Sequence, residues 1–435
     1  MIKRDIYLQQ LINAKHNGFC KVITGIRRVG KSYLLKNIFY KHLIESGTNA
    51  DNIIIIELDD ISNANLREPF ALWNFLLDKL KNKEEQYYIF IDEIQLVNTI
   101  INPVFTNNQK ILAKETDENS ISFVDVVLAI SKLKNVDLYV TGSNSKLLSK
   151  NILTQFRDKA TNIHLYPLSF KEYYDYLNGD KYERFYNYMI YGGMPLSVLK
   201  NNNFEKEKYL KELFKTTYIN DVIEYNKFKK NEFLDELCDI ISFSTGQLLN
   251  TQKISNIFKS RKKENIGKET IDKYIKSFEE AYIISEAKRY DIKGNSTIGS
   301  TRKYYFLDTG LRNARLNFTS LDIGQILENV IYKELLIHNY NVKVGTFNQV
   351  EKNNNKSILK TYEVDFYATK GTDTLYLQVT DNIDEENLKL REITPFKFIR
   401  DSNIKIILVN RPIQKMKLEN GIIVWGIIDF LLNLN

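Results

Sequence analysis

Apolar and polar positions alternate in a way that divides the chain into four stretches. Residues 21–24 (KVIT) form a short apolar run that stops at Gly25. The following segment, KSYLLKNIFYKHLIES, repeats its apolar residues at helical spacing. Next comes the β-branched run NIIIIEL (52–58), as continuous as a strand buried on both faces should be. A helical pattern around Phe70–Leu80 leads to a strand at 86–92 (QYYIFID), and a helical segment Phe123–Leu133 leads to another at 136–143 (VDLYVTGS). Strands alternating with helices predict an α/β fold with a parallel sheet covered on both faces. The polar segment 102–122 interrupts this alternation and reads as an excursion from the sheet, in character a mobile loop.

Beyond residue 165 the pattern turns helical, through SFKEYYDYL, RFYNYMIYGGMP and a long amphipathic stretch at about 205–226. Phe233–Ile241, Thr251–Lys259 and Lys268–Ala281 then read as three helices, followed by two extended pieces, IISEAKRYD and RKYYFLD, joined by KGNSTIGS. Three helices and a hairpin outline a winged helix. The last part carries strands VKVGTF, TYEVDFYAT, TLYLQVT and IKIILVN between helices, a second α/β unit. The predicted division is therefore 1–165 for the sheet core, 166–230 for a helical lid, 231–320 for a winged helix and 321–435 for the second α/β domain.

Composition narrows the class. A chain of 435 residues is too long for one ordinary core, and 43% hydrophobic residues exclude general disorder. The formal net charge of +7 permits nucleic-acid contact, though a solvated lysine-rich surface explains it equally. Cys20 and Cys238 belong to no Cys-x-x-Cys pair, and the four histidines are scattered, so no disulfide framework or zinc site is readable. The N-terminus has no continuous apolar core, and the longest apolar stretch, Ile422–Leu432, is interrupted by Asp429. The expectation is a cytoplasmic protein without a membrane partner.

The chemistry begins at the first apolar run. Gly25-Ile26-Arg27-Arg28-Val29-Gly30-Lys31-Ser32 fits G-x-x-x-x-G-K-[ST] at every fixed position. Glycines at both ends allow backbone conformations that turn successive N–H groups toward phosphate oxygens. The helix opening at Lys31 adds its positive end, Lys31 reaches the β- and γ-phosphates, and Ser32 offers a hydroxyl to Mg²⁺. A chance match in a chain of this length has a probability on the order of one per cent. Gly25 through Ser32, with Tyr33, are the candidate ATP-binding residues.

Four apolar residues, Tyr88-Ile89-Phe90-Ile91, bury the next strand and project Asp92-Glu93 from its end. Asp92 suits Mg²⁺ held mainly through water, and Glu93 is placed to orient or deprotonate an attacking water. Thr141-Gly142-Ser143-Asn144-Ser145 ends the following strand at the same edge, where Ser143 and above all Asn144 suit sensing of the γ-phosphate. Turn and capping chemistry explains those residues too. Arg157 is a candidate arginine finger, within the chain or across a subunit interface of a homo-oligomer, and Arg27 and Arg28 are candidates to face phosphate. An ordinary surface salt bridge accounts for these three arginines as well.

Together GIRRVGKSYLL, IFIDEIQ, YVTGSNSKLLS, YPLSFKEYY and YGGMP resemble a bacterial and archaeal family of AAA-like ATPases with a C-terminal domain of unknown function. The resemblance continues through KYYFLDTGLRNA, LENVIYKEL, YEVDFYA and LYLQVT. It implies a P-loop NTPase sheet of the additional-strand class, a helical lid, a winged helix and a domain similar to PD-(D/E)XK nucleases. Two departures stand out: relatives often have Gly-Arg near position 159, where this chain reads Arg157-Asp158-Lys159, and segment 102–122 is long.

A nuclease of that class needs acidic ligands for Mg²⁺ and a lysine. Glu328, Asp365 and Gln378 occupy the matching positions, but the place expected for the lysine holds Thr380, with Lys389 or Arg391 as substitutes on the next helix. The domain reads as a degenerate one. Arg261, Lys262, Lys263, Lys268, Lys273 and Lys276 lie on or before the third winged-helix helix, interspersed with Glu264, Glu269 and Asp272. The functional expectation is an ATP-hydrolysing switch or motor acting on nucleic acid, DNA above all, through residues 231–435. The rivals are a signalling ATPase that switches a protein-binding surface and an ATP-gated, metal-dependent nuclease.

Overall fold

The structure, a computed structural model, describes residues 2–107, 109–113, 117, 119–142, 159–219, 222–223, 232–262, 266–353, 356–381 and 392–434. They fall into two compact units, Met1–Tyr166 and Pro167–Asn435.

In the first unit the strands are β1 (Cys20–Thr24), β2 (Ile53–Glu57), β3 (Tyr87–Asp92), β4 (Ile100–Ile101), β5 (Ser120–Ile121), β6 (Val136–Thr141) and β7 (Ala160–His164). Five of them form one parallel sheet in the order β2-β3-β6-β1-β7. Every residue of β1 and β3 is buried, which is why their sequences are mainly apolar, with Lys21 the exception inside β1. β6 stands between β1 and β3, so the glycine-rich loop and Asp92 leave strands separated by an additional one. This is the P-loop NTPase arrangement of the additional-strand class.

Both faces are packed. Leu72, Leu76, Phe123, Val127 and Ile130 cover one face with Val22, Ile89, Ile91 and Val140. On the other, Phe39 meets Phe90 and Tyr139 with ring centroids 5.8 and 4.9 Å apart. Burying each such side chain contributes about 1.5–3 kcal/mol. β7 was not foreseen in the periodicity: Ala-Thr-Asn-Ile-His is an edge strand with one buried residue, so no apolar run marks it. The excursion after β3 is not a featureless loop; β4 pairs antiparallel with β5, and Ile100 also bridges Leu112.

Inside this sheet lies an ionic core. Lys21 on β1 pairs with Asp137 on β6, both buried. The other Asp137 oxygen accepts from the Tyr139 hydroxyl at 2.8 Å and the His16 amide at 3.2 Å. The lysine is thus tolerated because its counter-charge is itself fully hydrogen-bonded.

The second unit opens with helices Phe170–Leu177, Lys181–Tyr191 and Asn203–Glu212. Ser169 and Glu172 form a capping box on the first, and Asp180 caps the second. Glu232–Phe243, Thr251–Lys262 and Lys268–Glu280 follow, then the hairpin β8 (Ile284–Asp291) and β9 (Ser296–Phe306). The remaining strands are β10 (Asn341–Asn353), β11 (Lys356–Lys370), β12 (Asp373–Thr380), β13 (Ile404–Val409), β14 (Met416–Lys417) and β15 (Ile423–Gly426). β8 pairs parallel with β10, so the hairpin and the later strands share one eight-stranded mixed sheet.

The motifs YGGMP and FLDTG meet at a buried junction of this unit. The Gly193 N–H donates to Asp308 Oδ2 at 2.6 Å. Gly192 has φ +69°, and a Cβ there would lie 2.1 Å from Asp308 Oδ1. Gly192 is therefore required by a carboxylate that arrives from far along the chain, whereas a Cβ at Gly193 would lie 2.4 Å from the Leu168 carbonyl oxygen. Asp308 also caps helix Thr309–Arg315 through the Leu311 N–H.

Candidate nucleotide site

The parallel arrangement brings the C-terminal ends of β1, β3 and β6 to one sheet edge, with Thr141 in register with Ile23 and Val140 with Ile91. Between β1 and the helix spanning 31–45, the loop is anchored by Ile26 and Val29, whose side chains are buried. Gly25 has φ +144°, and a Cβ there would come within 2.2 Å of the Leu165 carbonyl oxygen. Gly30 has φ +100° and precedes the helix, yet a Cβ there would meet nothing within 4 Å. One glycine is needed for close packing; the other borders open space beside the helix start. Arg28 also adopts a left-handed backbone, φ +65°, and the side chains of Arg27 and Arg28 are exposed.

The first intrahelical bond runs from the Leu34 N–H to the Gly30 carbonyl at 2.8 Å. The amides of Ser32 and Tyr33 therefore belong to the turn whose donors a helix cannot satisfy itself. Lys31 is buried, and its Nζ donates to the carbonyls of Gly25 at 3.0 Å and Ile26 at 3.4 Å. Beneath the loop, His164 Nδ1 lies 3.0 Å from Thr24 Oγ1. Burial, with Lys31 nearby, pushes that imidazole down to about 3, so it is neutral at physiological pH. An ammonium, a hydroxyl and helix-start amides around open space form the donor set a polyphosphate needs.

Asp92 is buried at the end of β3, beside Glu57 of β2, whose carboxylate pairs with Lys36. Thr141 ties the edge together: its hydroxyl donates to Asp92 Oδ1 and accepts the Glu93 N–H at 3.1 Å. Glu93 takes a left-handed conformation, φ +53°, and its Oε2 accepts from Gln95 Nε2. Among the described residues no three His, Cys, Asp or Glu side chains group to hold a metal. A cation here would be held by Ser32, Asp92, water and the phosphates it accompanies, which fits Mg²⁺. Thr141 and Gln95 were not given roles from sequence, although both stand inside motifs it singled out. Ser143, Asn144 and Arg157 lie outside the described residues.

The second candidate cluster also assembles. Asp365 receives Val379 N–H on Oδ2 at 2.8 Å, and its own N–H donates to Gln378 Oε1 at 2.7 Å. Gln378 Nε2 in turn donates to Glu392 at 2.9 Å. Glu328 accepts from the Tyr305 hydroxyl at 2.9 Å. The cation of this cluster is Lys303 on β9, paired with Glu328 at 3.3 Å and Glu363 at 2.8 Å. It lies far upstream of Thr380, the place expected for the lysine, and only the shared sheet brings it here. Lys389 and Arg391 are outside the described residues.

Burial raises the carboxyls of Glu328 and Asp365 above their usual range, with the Lys303 charge opposing the rise. A carboxyl raised in the folded state adds stability as pH falls through its folded value and loses it as pH rises. Lys303→Met removes the counter-charge. We expect a loss of about 3–5 kcal/mol at pH 8, partly recovered near pH 5.5, read from denaturant unfolding at the two pH values.

The fold is that of a P-loop NTPase of AAA type. A family model described as an AAA domain matches residues 17–174, and one described as a domain of unknown function (DUF8612) matches residues 182–322. An uncharacterized protein of Haemophilus influenzae is 30% identical over 437 residues, covering 99% of each chain. Another, from Methanocaldococcus jannaschii, is 30% identical over 431 residues, covering 94% of this chain and 85% of that protein. The chain belongs to this bacterial and archaeal family of AAA-domain proteins with a C-terminal domain of unknown function.

Solved structures give more distant likenesses. The Aeropyrum pernix ORC1 protein in complex with DNA is 11% identical with a TM-score of 0.31, covering 72% of this chain and 92% of that one. Cdc6p from Pyrobaculum aerophilum is 11% identical with a TM-score of 0.28, covering 76% and 97%. Among the described residues, no helix is long and apolar enough to cross a membrane.

Proposed function

We propose that the protein hydrolyses ATP at the sheet edge built by residues 25–33, Asp92 and Glu93, and couples turnover to an action on nucleic acid. The observation that carries the first part is Thr141, which joins the Asp92 carboxylate and the Glu93 amide at the same edge as the glycine-rich loop. Lys31 neutralises phosphate charge, and the Ser32 and Tyr33 amides donate to phosphate oxygens. Ser32 and Asp92 would hold Mg²⁺, which would supply neutralisation of phosphate charge. Glu93, its backbone fixed by Thr141, takes a proton from the attacking water. Sensing by Ser143 and Asn144 and charge stabilisation by Arg157 belong to the same reading, on their sequence positions.

The polymer half of the proposal is supported by Lys268, Lys273 and Lys276, which stand exposed on helix Lys268–Glu280 beside the β8–β9 hairpin in sequence. Lys276 pairs with Glu280 at 3.8 Å, and Glu269 and Asp272 share the exposed face, so net attraction is modest. Glu328, Asp365 and Gln378 fit a structural role better than cleavage, because Gln378 brings no charge to a metal and its amide is engaged by the Asp365 N–H and Glu392. Cys20 and Cys238, buried and free, suit a reducing cytoplasm.

The test is ATP turnover with no polymer, duplex DNA, single-stranded DNA and RNA, paired with fluorescence anisotropy of the same polymers at stated salt. Stimulation by a nucleic acid supports the reading. Turnover without polymer binding in any nucleotide state moves it to a switch acting on a protein partner.

A further inference from the structure

Gln95 is outside every role assigned above, yet its placement is unusual. It sits in the turn Ile94–Leu96, directly after Glu93. Ile94 and Val97 anchor that turn in the core, and the Leu96 N–H closes it onto the Glu93 carbonyl at 2.9 Å. The Asn98 N–H fixes the exit by donating to the Arg67 carbonyl at 2.7 Å. A backbone held at both ends aims the side chain back at its neighbour. Its Nε2 donates to Glu93 Oε2, while its Oε1 is buried with no hydrogen-bond partner. An unsatisfied buried carbonyl is unfavourable, and the fold carries it where the other half of the amide grips Glu93.

We infer that Gln95 is a positioning residue for hydrolysis, an inference that rests on the ATPase reading of this edge. Its amide fixes one oxygen of the Glu93 carboxylate, so the carboxylate plane is set and the other oxygen is the one that takes the proton of the attacking water. The Thr141 hydroxyl fixes the Glu93 backbone from β6, and Gln95 fixes the side chain from the turn. Together they restrict a glutamate whose free side chain would sample several rotamers.

Two variants test this by different physics. Gln95→Met keeps length and removes the donor; kcat is expected to fall about tenfold, with KM and ATP affinity within about twofold of wild type. Gln95→Glu places a second carboxylate against Glu93. It removes the donor and repels the carboxylate that the amide orients, so kcat is expected to fall at least as far as in Gln95→Met, again with KM within about twofold of wild type. Other charges along the edge, Asp92, Lys31 and the Glu57–Lys36 pair, are common to all three proteins, so differences isolate position 95. Wild-type kcat in Gln95→Met, loss of ATP affinity in step with kcat, or wild-type kcat in Gln95→Glu would overturn the inference while leaving the ATPase reading intact. A wild-type protein that binds ATP but never cleaves it removes both.

Discussion

Glu93→Gln is expected to lower kcat for ATP by about 10²–10⁴-fold while ATP still binds. The amide is nearly isosteric with the carboxylate, and the Glu93 N–H that donates to Thr141 Oγ1 is untouched. The loss therefore falls on proton transfer rather than on the loop. Lys31 and the helix start at Gly30–Ser32 remain to hold the phosphates, so the variant accumulates as an ATP-bound form. Measuring kcat beside the equilibrium affinity for ATP separates the two effects. A loss of affinity equal to the loss of turnover would assign Glu93 to binding.

The second large effect is on stability. Asp137→Ala leaves the Lys21 ammonium in the sheet core without its counter-charge and takes an acceptor from the Tyr139 hydroxyl and the His16 amide. Breaking a buried pair from one side costs about 3–5 kcal/mol, enough to shift the denaturant midpoint of the first unit substantially. Replacing both partners, Lys21→Met with Asp137→Leu, is expected to restore most of that loss, since no buried charge is then left behind. Should Asp137→Ala unfold within about 1 kcal/mol of wild type, the pair contributes no more than an exposed one.

These two sites show what kind of information a sequence carries. The strands β1 and β3 are legible because both their faces are buried and apolar residues dominate them. Gly25–Ser32 is legible because phosphate binding imposes fixed residue types at fixed spacing, and Asp92–Glu93 because a buried strand ends in charge. β7 is not legible, since an edge strand of Ala-Thr-Asn-Ile-His presents no apolar pattern. Lys21 inside β1 reads as an exposed cation until Asp137 on β6, remote in sequence but on the neighbouring strand in space, supplies its partner. Lys303 and Gly192 are hidden for the same reason. Their meaning lies in contacts with Glu328 and Asp308 that only the folded second unit creates.

Gln95 is an intermediate case. The letters IFIDEIQ were visible, but the geometry that turns its amide onto Glu93 depends on a left-handed residue at position 93. Such a backbone is uncommon for a glutamate and is held by tertiary contacts rather than local preference.

The central claim is that the loop at Gly25–Ser32 binds ATP for cleavage at this sheet edge. Magnesium-dependent release of phosphate from ATP, measured side by side for the wild type and Lys31→Ala, tests it most directly. The account predicts steady turnover by the wild type, abolished by removing either Mg²⁺ or the Lys31 ammonium. Equal phosphate release by both proteins, or none by the wild type with every polymer tried, would contradict it.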